Sequence, residues 1–294
     1  MSEAPFDKRE GLLWFDGEMI PWADAQCHVL SHALHYASSV FEGERAYDGE
    51  IFKLREHTER LFHSARRMDM TPEYSVEEID AACNEAVRRN GLSDAYVRPI
   101  MWRGSEMMSV PAQKTKIHTA IAAWEWPSYY SHEQRMAGLR LAISKWRRPS
   151  PETIPCDTKA SGLYMICTLS RHEAEREGYN DAMMLDYRGQ VAETTGANVF
   201  FIKGNEIHTP TPDCFLDGIT RRTVMKLAIA RGYRITERAI QPEEMADFDE
   251  CFLTGTAVEV TPVAEIGPYK FPAREVSPLL LDDYLDLVRR KAAA

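Results

Sequence analysis

Two stretches of this chain decide its fold: Cys156-Asp157-Thr158-Lys159-Ala160-Ser161-Gly162-Leu163-Tyr164 and Val191-Ala192-Glu193-Thr194-Thr195-Gly196-Ala197-Asn198. Lys159 follows a short polar loop and directly precedes a predicted helix, so its side chain can point into a cleft. Glu193 opens a turn of small and polar residues. The ordinary alternative for Lys159 is an exposed surface lysine. The two stretches are therefore interpreted together with the rest of the chain.

A lysine and a carboxylate are the two groups that a pyridoxal phosphate enzyme needs. Lys159 could hold the cofactor aldehyde as a Schiff base, and Glu193 could keep the pyridine nitrogen protonated. Tyr164, five residues after the lysine, could donate a hydrogen bond to the ring oxygen, although a half-buried core tyrosine is the alternative. The pair alone establishes nothing, because many lysines and acids occur in the chain.

Two further stretches could cradle a phosphate, Leu216-Asp217-Gly218-Ile219-Thr220 and Leu253-Thr254-Gly255-Thr256-Ala257. In the first, a glycine allows close backbone approach, and the next two residues would present free amides at a helix start. Arg55, also at a predicted helix start, suits a phosphate dianion. The alternatives are a plain turn with an N-cap, a glycine-containing bend, and pairing of Arg55 with Glu56 or Glu59.

Arg98 lies two residues after Tyr96 in a strand pattern, so both side chains face the same side of the strand. Such a face could bind a carboxylate, and an exposed strand face is the equal alternative. His28, His32 and His35 stand at helical spacing beside a cysteine. No further ligand pattern completes a metal site there, so we expect packing histidines and no metal.

Composition and charge exclude several classes of protein. The 294 residues are 44% hydrophobic and 27% charged, and the formal net charge of −10 argues against nucleic-acid or anionic-membrane binding. The six cysteines are widely spaced, which predicts free thiols in a reducing compartment. With neither an apolar signal segment nor a membrane-spanning run in the sequence, we expect a cytoplasmic protein.

The order of predicted elements indicates an α+β protein of two domains. Asp16-Gly17 predicts a hairpin, Ser75-Val76-Glu77-Glu78 a capping box, and Ser277-Pro278 the start of a C-terminal helix. A polar stretch after Trp126 is the candidate linker. We therefore predict a small N-terminal domain (1–126), an interdomain loop (127–136) and a large C-terminal domain (137–294).

Seven motifs together carry a family resemblance: the run Ser31–Gly43 with its Phe41-Glu42-Gly43 end, Arg55-Glu56-His57, Ala95-Tyr96-Val97-Arg98-Pro99, Lys159-Ala160-Ser161-Gly162, Glu193–Asn198, Gly218-Ile219-Thr220 and Gly255-Thr256-Ala257. In this order they resemble branched-chain amino acid aminotransferases, which are fold-type IV pyridoxal phosphate enzymes of the class IV aminotransferase family. The likeness runs from about residue 14 to 264.

The resemblance implies a fold and an activity. The fold would have a smaller N-terminal α/β domain and a larger C-terminal domain with a pseudo-barrel β core flanked by helices. The activity would be a ping-pong transfer of the amino group between L-leucine, L-isoleucine or L-valine and 2-oxoglutarate, with pyridoxal 5'-phosphate as cofactor. A homodimer or a higher homo-oligomer such as a hexamer is expected.

The resemblance also assigns roles to residues. Lys159 would be the catalytic lysine. The cofactor would be held by Arg55, Lys159, Tyr164, Glu193, Thr194, Asn198, Gly218, Ile219, Thr220, Gly255 and Thr256. The substrates would be held by Tyr36, Phe41, Gly43, Tyr96, Arg98, Val110, Trp126, Tyr129, Thr256 and Ala257. Of these, Tyr36 and Val110 would reach in from a second subunit, and Arg98 would receive the distal carboxylate of glutamate.

The chain departs from the family pattern at two places. Glu44 stands where many relatives have an apolar residue, and it could pair with Arg45 or alter the mouth of the pocket. The loop with Met107-Met108 is bulkier than the expected glycine-rich one. Three related activities remain as alternatives: D-amino acid aminotransferase, (R)-amine aminotransferase and aminodeoxychorismate lyase. A non-catalytic binding protein with the same fold is a fourth. The sequence does not rank leucine, isoleucine and valine.

Overall fold

The structure, a computed structural model, describes residues 5–126 and 132–289, apart from the side chains at 132, 134 and 136. Its residues divide into two compact units. The first holds the described residues up to 126 together with Thr158–Gly162, and the second holds the rest. The segment around Lys159 thus belongs to the first unit, although it follows the predicted linker in sequence. The predicted domain boundary remains a prediction, since residues 127–131 lie outside the described ranges.

The first unit begins with a hairpin that turns at Asp16 and Gly17, as the Asp-Gly pair predicts. Its elements in chain order are β1 (Leu12–Phe15), β2 (Glu18–Pro21), α1 (His32–Tyr36), β3 (Ser39–Phe41), β4 (Glu44–Tyr47), β5 (Glu50–Ile51), α2 (Leu54–Arg67), α3 (Val76–Arg89), β6 (Ala95–Arg103) and β7 (Ile117–Glu125). The strands form one sheet in the order β2-β1-β7-β6-β4-β5, with β3 also paired to β6.

Strand β6 is the centre of this sheet. It pairs antiparallel with β7 along its whole length of nine residues. On its other side, β4 pairs with the first part of β6 and β3 pairs with the later part. Glu42 and Gly43 fall between these short strands and interrupt the ladder opposite Arg98 and Pro99. The family motif that ends in Glu42-Gly43 is therefore a break between two strands.

Helix α3 packs against β1, β6 and β7. It begins with the predicted capping box, because the Ser75 hydroxyl accepts the Glu78 N–H at 3.2 Å and the Glu78 carboxylate accepts the Ser75 N–H at 2.7 Å. Its buried residues, Ile79, Ala82, Cys83, Ala86 and Val87, recur at helical spacing. Helix α2 packs against α3 and β3.

The elements of the second unit, in chain order, are α4 (His132–Ala137), β8 (Leu139–Arg148), α5 (Met165–Arg176), β9 (Asp181–Asp186), β10 (Val191–Thr194), β11 (Asn198–Lys203), β12 (Glu206–Thr209), α6 (Ile219–Ala230), β13 (Arg234–Glu237), β14 (Glu250–Gly255), β15 (Glu259–Ile266), β16 (Tyr269–Lys270) and α7 (Val276–Arg289). Helix α6 begins directly after Gly218, where the sequence predicts a helix start.

Six strands of the second unit close into a ring, in which β10, β9, β8, β15, β14 and β11 each pair with the next and β11 pairs back with β10. One buried apolar cluster draws on the strands of this ring, and its fully buried members include Leu141, Met183, Val199, Leu253 and Val263. Helix α5 covers β8 and β9, α6 packs on β14, and α7 packs on β15. The closed ring with its flanking helices confirms the expected pseudo-barrel core and the α+β class.

The start of α7 differs from the prediction that Ser277 caps it. The helix already begins at Val276, and its cap is the buried carboxylate of Glu250 from β14. This carboxylate accepts the backbone N–H groups of Glu275, Val276 and Ser277 at 3.0, 3.0 and 2.8 Å. A charge supplied by a strand replaces the local serine cap, because a carboxylate at a helix N-terminus satisfies several orphan amides at once.

Three further features bear on the sequence predictions. All six cysteines are free thiols, of which Cys27 is exposed and the other five are buried. His32 is buried and bonded, with Nδ1 2.6 Å from the Ser38 hydroxyl and Nε2 2.9 Å from the Ser109 carbonyl. It is therefore a packing histidine, as expected, whereas His28 and His35 are exposed, so the expectation was wrong for them. Over the described ranges, the helices are too short or too polar to cross a membrane.

Candidate functional site

The backbone of Lys159 is held on both sides by the first unit. Its N–H donates to the Ser64 hydroxyl of α2 at 3.0 Å, and its carbonyl accepts the Phe41 N–H of β3 at 3.1 Å. The next residue, Ala160, forms an isolated antiparallel bridge with Val40. The lysine itself is half-buried, and its Nζ lies 4.9 Å from the centroid of the Phe41 ring. A short irregular segment thus presents one amine at a defined place on the sheet.

An aromatic wall extends from Phe41 along this sheet. The Arg98 guanidinium lies over the Phe41 ring at 4.7 Å and over the Tyr96 ring at 5.2 Å, and its Nη2 donates to the Tyr96 hydroxyl at 3.2 Å. Trp126 continues the wall, with its ring centroid 5.1 Å from that of Tyr96. The wall is apolar over most of its surface and carries one cation at its edge.

Gly43 makes room for this wall. A Cβ at position 43 would lie only 2.0 Å from the Tyr96 hydroxyl oxygen. The phenol of Tyr96 therefore occupies the space that any side chain at position 43 would need. Five residues predicted for the site, Phe41, Gly43, Tyr96, Arg98 and Trp126, are brought together here with the predicted catalytic lysine.

Sequence analysis missed a buried charged cluster that joins β3 and α2. The Glu42 carboxylate accepts hydrogen bonds from Arg60 Nε at 2.6 Å and Nη2 at 2.8 Å, and His57 Nδ1 lies 2.7 Å from it. Burial by itself raises the pKa of Glu42, but Arg60 and His57 hold it well below its usual range. Burial lowers the pKa of His57, which lies close enough to Lys159 to sense its charge. The available signal was the spacing of His57 and Arg60, which places them on one face of α2.

Glu44 does not pair with Arg45, so that expectation was wrong, whereas its effect on the mouth of the pocket stays a prediction. Its side chain is fully buried, and among the described residues neither carboxyl oxygen meets a well-oriented donor. Burial, together with the charges of Glu42 and Asp80, raises the pKa of Glu44 well above its ordinary value. The raised pKa favours the protonated, neutral form of this buried acid.

Other predicted residues lie away from the wall or outside the described structure. The Arg55 guanidinium, 47% exposed, pairs with Glu77 at 2.7 Å and Asp80 at 2.9 Å. Tyr36 stacks on His32 at 4.5 Å and is exposed, as is Val110. The predicted contact of Tyr129 with the substrate concerns a residue outside the described ranges.

In the second unit, Glu193 stands on β10 directly opposite Asn198 on β11. The Asn198 amide lies 3.4 Å from Glu193 Oε2, and Arg148 Nε lies 3.4 Å from Oε1. The turn between these strands is closed by Thr194, whose N–H donates to the Ala197 carbonyl at 2.9 Å and whose hydroxyl accepts the Ala197 N–H at 3.1 Å. Glu193, Thr194 and Asn198 therefore form one rigid element.

Gly218 and Gly255 bring two more predicted elements to this turn. A Cβ on Gly218 would lie 2.3 Å from the Asn198 side-chain oxygen, and the Asn198 amide also donates to the Leu216 carbonyl at 3.0 Å. At Gly255, the position of a Cβ is 3.5 Å from the Gly196 carbonyl. Thr256 and Ala257 follow in the turn from β14 to β15. The second unit thus gathers the predicted residues of three separate motifs.

Helix α6 offers the expected anion-binding end. It begins at Ile219 and Thr220, with Gly218 as N-cap, and no side chain of the described chain caps it. The first amide groups of such a helix are directed outward and carry partial positive charge. Tyr164, the remaining predicted residue, lies near Arg148 in the same unit. Glu193 as an acceptor, with these amides and a phenol as donors, makes a set of hydrogen-bonding groups that fits a phosphorylated pyridine.

Comparison with known proteins agrees with this geometry. The family model described as amino-transferase class IV matches residues 39–266. The branched-chain-amino-acid aminotransferase of Pseudomonas aeruginosa is 43% identical over 97% of this chain and 95% of its own length. That of Escherichia coli strain K12 is 39% identical over 88% and 86%.

Solved structures agree as well. The T.th. branched-chain amino acid aminotransferase with pyridoxamine 5'-phosphate has a TM-score of 0.93 and 37% identity, covering 96% of this chain and 95% of its own. The same enzyme complexed with N-(5'-phosphopyridoxyl)-L-glutamate has a TM-score of 0.90 and 36% identity, with coverage of 96% and 95%. This chain therefore belongs to the class IV aminotransferase family, among the branched-chain amino acid aminotransferases.

Proposed function

We propose that this protein transfers the amino group between L-branched-chain amino acids and 2-oxoglutarate, with pyridoxal 5'-phosphate as cofactor. The observation that carries the proposal is the placement of two basic side chains on one ring, since Lys159 Nζ and the Arg98 guanidinium both lie against Phe41, at 4.9 and 4.7 Å. An amine next to an apolar wall with a cation at its edge suits two substrates. The wall can hold a branched apolar chain, and the cation can hold the distal carboxylate of glutamate.

The residues of the second unit fit the cofactor. Glu193 would accept the ring N–H, Tyr164 would donate to the ring oxygen, and the first amides of α6 with Thr256 would hold the phosphate. For a guanidinium on the phosphate we now favour Arg60 over the predicted Arg55. Arg60 lies in the buried cluster beside the lysine segment, whereas Arg55 is exposed and engaged by two acids.

The assignment of the guanidinium is tested by the dissociation constant of the cofactor in two variants. Arg55→Ala should leave the constant within about twofold of the wild-type value, because Arg55 is held by α3. Arg60→Lys should raise it by about tenfold or more, since a lysine loses the two-point geometry of a guanidinium. The opposite ranking would restore Arg55 as the phosphate ligand.

The chemistry of this family needs an electron sink, which bound pyridoxal phosphate supplies. Lys159 Nζ then has two tasks, to remove the proton from the substrate α-carbon and to return a proton later. Glu193 would keep the ring nitrogen of the bound cofactor protonated, which would maintain the electron demand of the ring. Arg98 orients glutamate through its distal carboxylate, while Phe41 and Tyr96 exclude water from the apolar side.

We further propose that the working enzyme is a homodimer or a higher homo-oligomer. A largely apolar cavity of about 310 Å³ lies between β1, β6, β7 and the segment around residues 25–34, and Leu13, Phe15, Leu34, Ile100 and Trp102 line part of it. Val29, Leu30, Leu34, Tyr36 and Val110 are exposed near it or along the same segments. A second copy of this chain would cover this apolar surface. Free, mostly buried thiols support a reducing compartment such as the cytoplasm.

The oligomer is tested by light scattering after gel filtration. Leu34→Asp should lower the mass to that of a monomer and reduce activity, because Tyr36 and Val110 could no longer reach a neighbour. Ile229→Asp places the same charge on an exposed apolar residue of α6 and should change neither. A Leu34→Asp variant with wild-type mass would contradict the proposed interface.

The activity is tested with a panel of amino donors against 2-oxoglutarate. L-leucine, L-isoleucine and L-valine should all be turned over, and Lys159→Ala should abolish turnover together with the absorbance of the lysine-bound cofactor. Turnover of D-alanine or (R)-1-phenylethylamine at or above the rate for L-leucine would overturn the branched-chain assignment. A preparation that binds no pyridoxal phosphate would indicate a non-catalytic binding protein.

A further inference from the structure

Arg148, the last residue of β8, places its guanidinium inside the second unit. The residue is 4% exposed, its Nε lies 3.4 Å from Glu193 Oε1, and its Nη1 lies 3.5 Å from the Cys167 sulfur. Glu193 itself is 8% exposed, and its other oxygen lies 3.4 Å from the Asn198 amide. Each oxygen of this carboxylate thus lies against a polar group of the protein.

The charge of Arg148 is matched to that of Glu193. Burial works against the guanidinium, and the Glu193 carboxylate offsets this and raises the pKa of Arg148. Arg148 in turn favours the charged form of Glu193, because a carboxyl this deeply buried would favour its neutral form without a nearby cation. Arg148 Nε and Glu193 Oε1 form an ion pair, but Nε makes no aligned hydrogen bond among the described residues. The role of Arg148 is therefore mainly electrostatic.

We propose that Arg148 is a positioning residue that keeps Glu193 ionised and directs it toward a protonated ring nitrogen. The inference rests on the proposed function, in which Glu193 meets the pyridine nitrogen of the cofactor. A carboxylate holds a proton on that nitrogen only while the carboxylate itself is charged. Without Arg148, the proton would move to Glu193, and a neutral ring would withdraw electrons less strongly from the substrate.

The proposal can be tested by binding, without turnover. The cofactor-free protein is titrated with pyridoxal phosphate and with its 1-deaza analogue, in which a carbon replaces the ring nitrogen. The wild-type protein should bind pyridoxal phosphate about tenfold or more tightly than the analogue, the scale of one charge-assisted hydrogen bond. In Arg148→Met, which removes the charge and keeps much of the volume, this ratio should fall by about threefold or more, because a protonated Glu193 keeps only an uncharged hydrogen bond to the ring nitrogen.

Two variants serve as controls. Arg147→Met removes a guanidinium one position earlier, from an exposed residue whose Nη1 lies 3.3 Å from the Asp186 carbonyl, and it should keep the wild-type ratio. Arg148→Lys retains a charge at shorter reach and should give an intermediate ratio. Circular dichroism shows whether each variant is folded, and Arg148→Gln decides the question if Arg148→Met does not fold.

The outcomes separate the inference from the proposed function. If a folded Arg148→Met or Arg148→Gln protein keeps the wild-type ratio, Arg148 does not act through Glu193 and the inference is wrong. If the wild-type protein itself shows no preference for the ring nitrogen, Glu193 does not meet the cofactor as proposed. A ratio that falls only in the Arg148 variants supports both the inference and the proposed role of Glu193. A purely structural role of Arg148 would weaken the binding of pyridoxal phosphate and of its analogue equally.

Discussion

Replacing Gly43 with alanine tests whether the break between β3 and β4 shapes the aromatic wall. The added Cβ would lie 2.0 Å from the Tyr96 hydroxyl oxygen and 2.9 Å from Cζ, whereas ordinary contact begins at 3.4 Å. The phenol would have to retreat by about 1.4 Å, which breaks its 3.2 Å hydrogen bond with Arg98. Gly43 does not have a positive φ, so the backbone itself tolerates alanine.

The size of the effect follows from overpacking a buried site. Such insertions cost about 1–3 kcal/mol. If that cost falls on the reacting complex, kcat/KM decreases by roughly tenfold to hundredfold, at about 1.4 kcal/mol per tenfold. The loss should be greater with glutamate than with leucine, because Arg98 loses a partner that orients it. The free energy of unfolding should fall by about 1–3 kcal/mol.

The assay measures the two half-reactions separately, with glutamate and with leucine, in a cycle of four proteins: wild type, Gly43→Ala, Tyr96→Phe and the double variant. Removing the hydroxyl takes away the 2.0 Å clash and leaves the milder one at 2.9 Å. Gly43→Ala should therefore cost less in the Tyr96→Phe background, by about 1 kcal/mol. Gly196→Ala, with nothing within 4 Å of its added Cβ, is the control for stability. Equal losses in both backgrounds would refute the steric reasoning.

Three further predictions concern single side chains. Glu44→Gln should become progressively more stable than the wild type between pH 5 and pH 9 in urea unfolding. Burial beside Glu42 raises the folded-state pKa of Glu44, so the stability that its proton provides is lost as the pH rises through this pKa. A stability difference between variant and wild type that does not change with pH would contradict this. Glu250→Ala should lower the free energy of unfolding by roughly 2–4 kcal/mol, because it leaves three backbone N–H groups at the start of α7 without their acceptor; a loss below about 1 kcal/mol would exclude the cap. Arg98→Met should lower kcat/KM for glutamate about tenfold or more relative to that for leucine, and an equal loss for both would remove Arg98 from carboxylate binding.

Local patterns were predicted well because their energetics are local. The Asp16-Gly17 hairpin, the capping box of α3 and the start of α6 follow from turn and cap chemistry within a few residues. The Glu193 turn was recognised for the same reason, since Thr194 to Asn198 close it with their own hydrogen bonds.

Long-range partners were not predicted. The cap of α7 comes from Glu250, which no local rule could select over the adjacent Ser277. Glu44 was expected to pair with Arg45, but neighbours in a strand point to opposite faces, and Glu44 is buried among Glu42, Asp80 and Cys83. The choice of Arg60 over Arg55 as the proposed phosphate ligand likewise depends on burial, since Arg60 lies on the covered face of α2 and Arg55 is exposed.

The sequence alone determined the family and its cofactor chemistry, because these depend on residue types in a fixed order along the chain. The tertiary structure decided what each residue meets. It assigned Lys159 to the first unit through Ser64 and Phe41, set the Tyr96 phenol against Gly43, and brought Arg148 to Glu193. Such pairs are far apart in sequence, and only the packing of strands and helices determines the distance and the burial that set their charge.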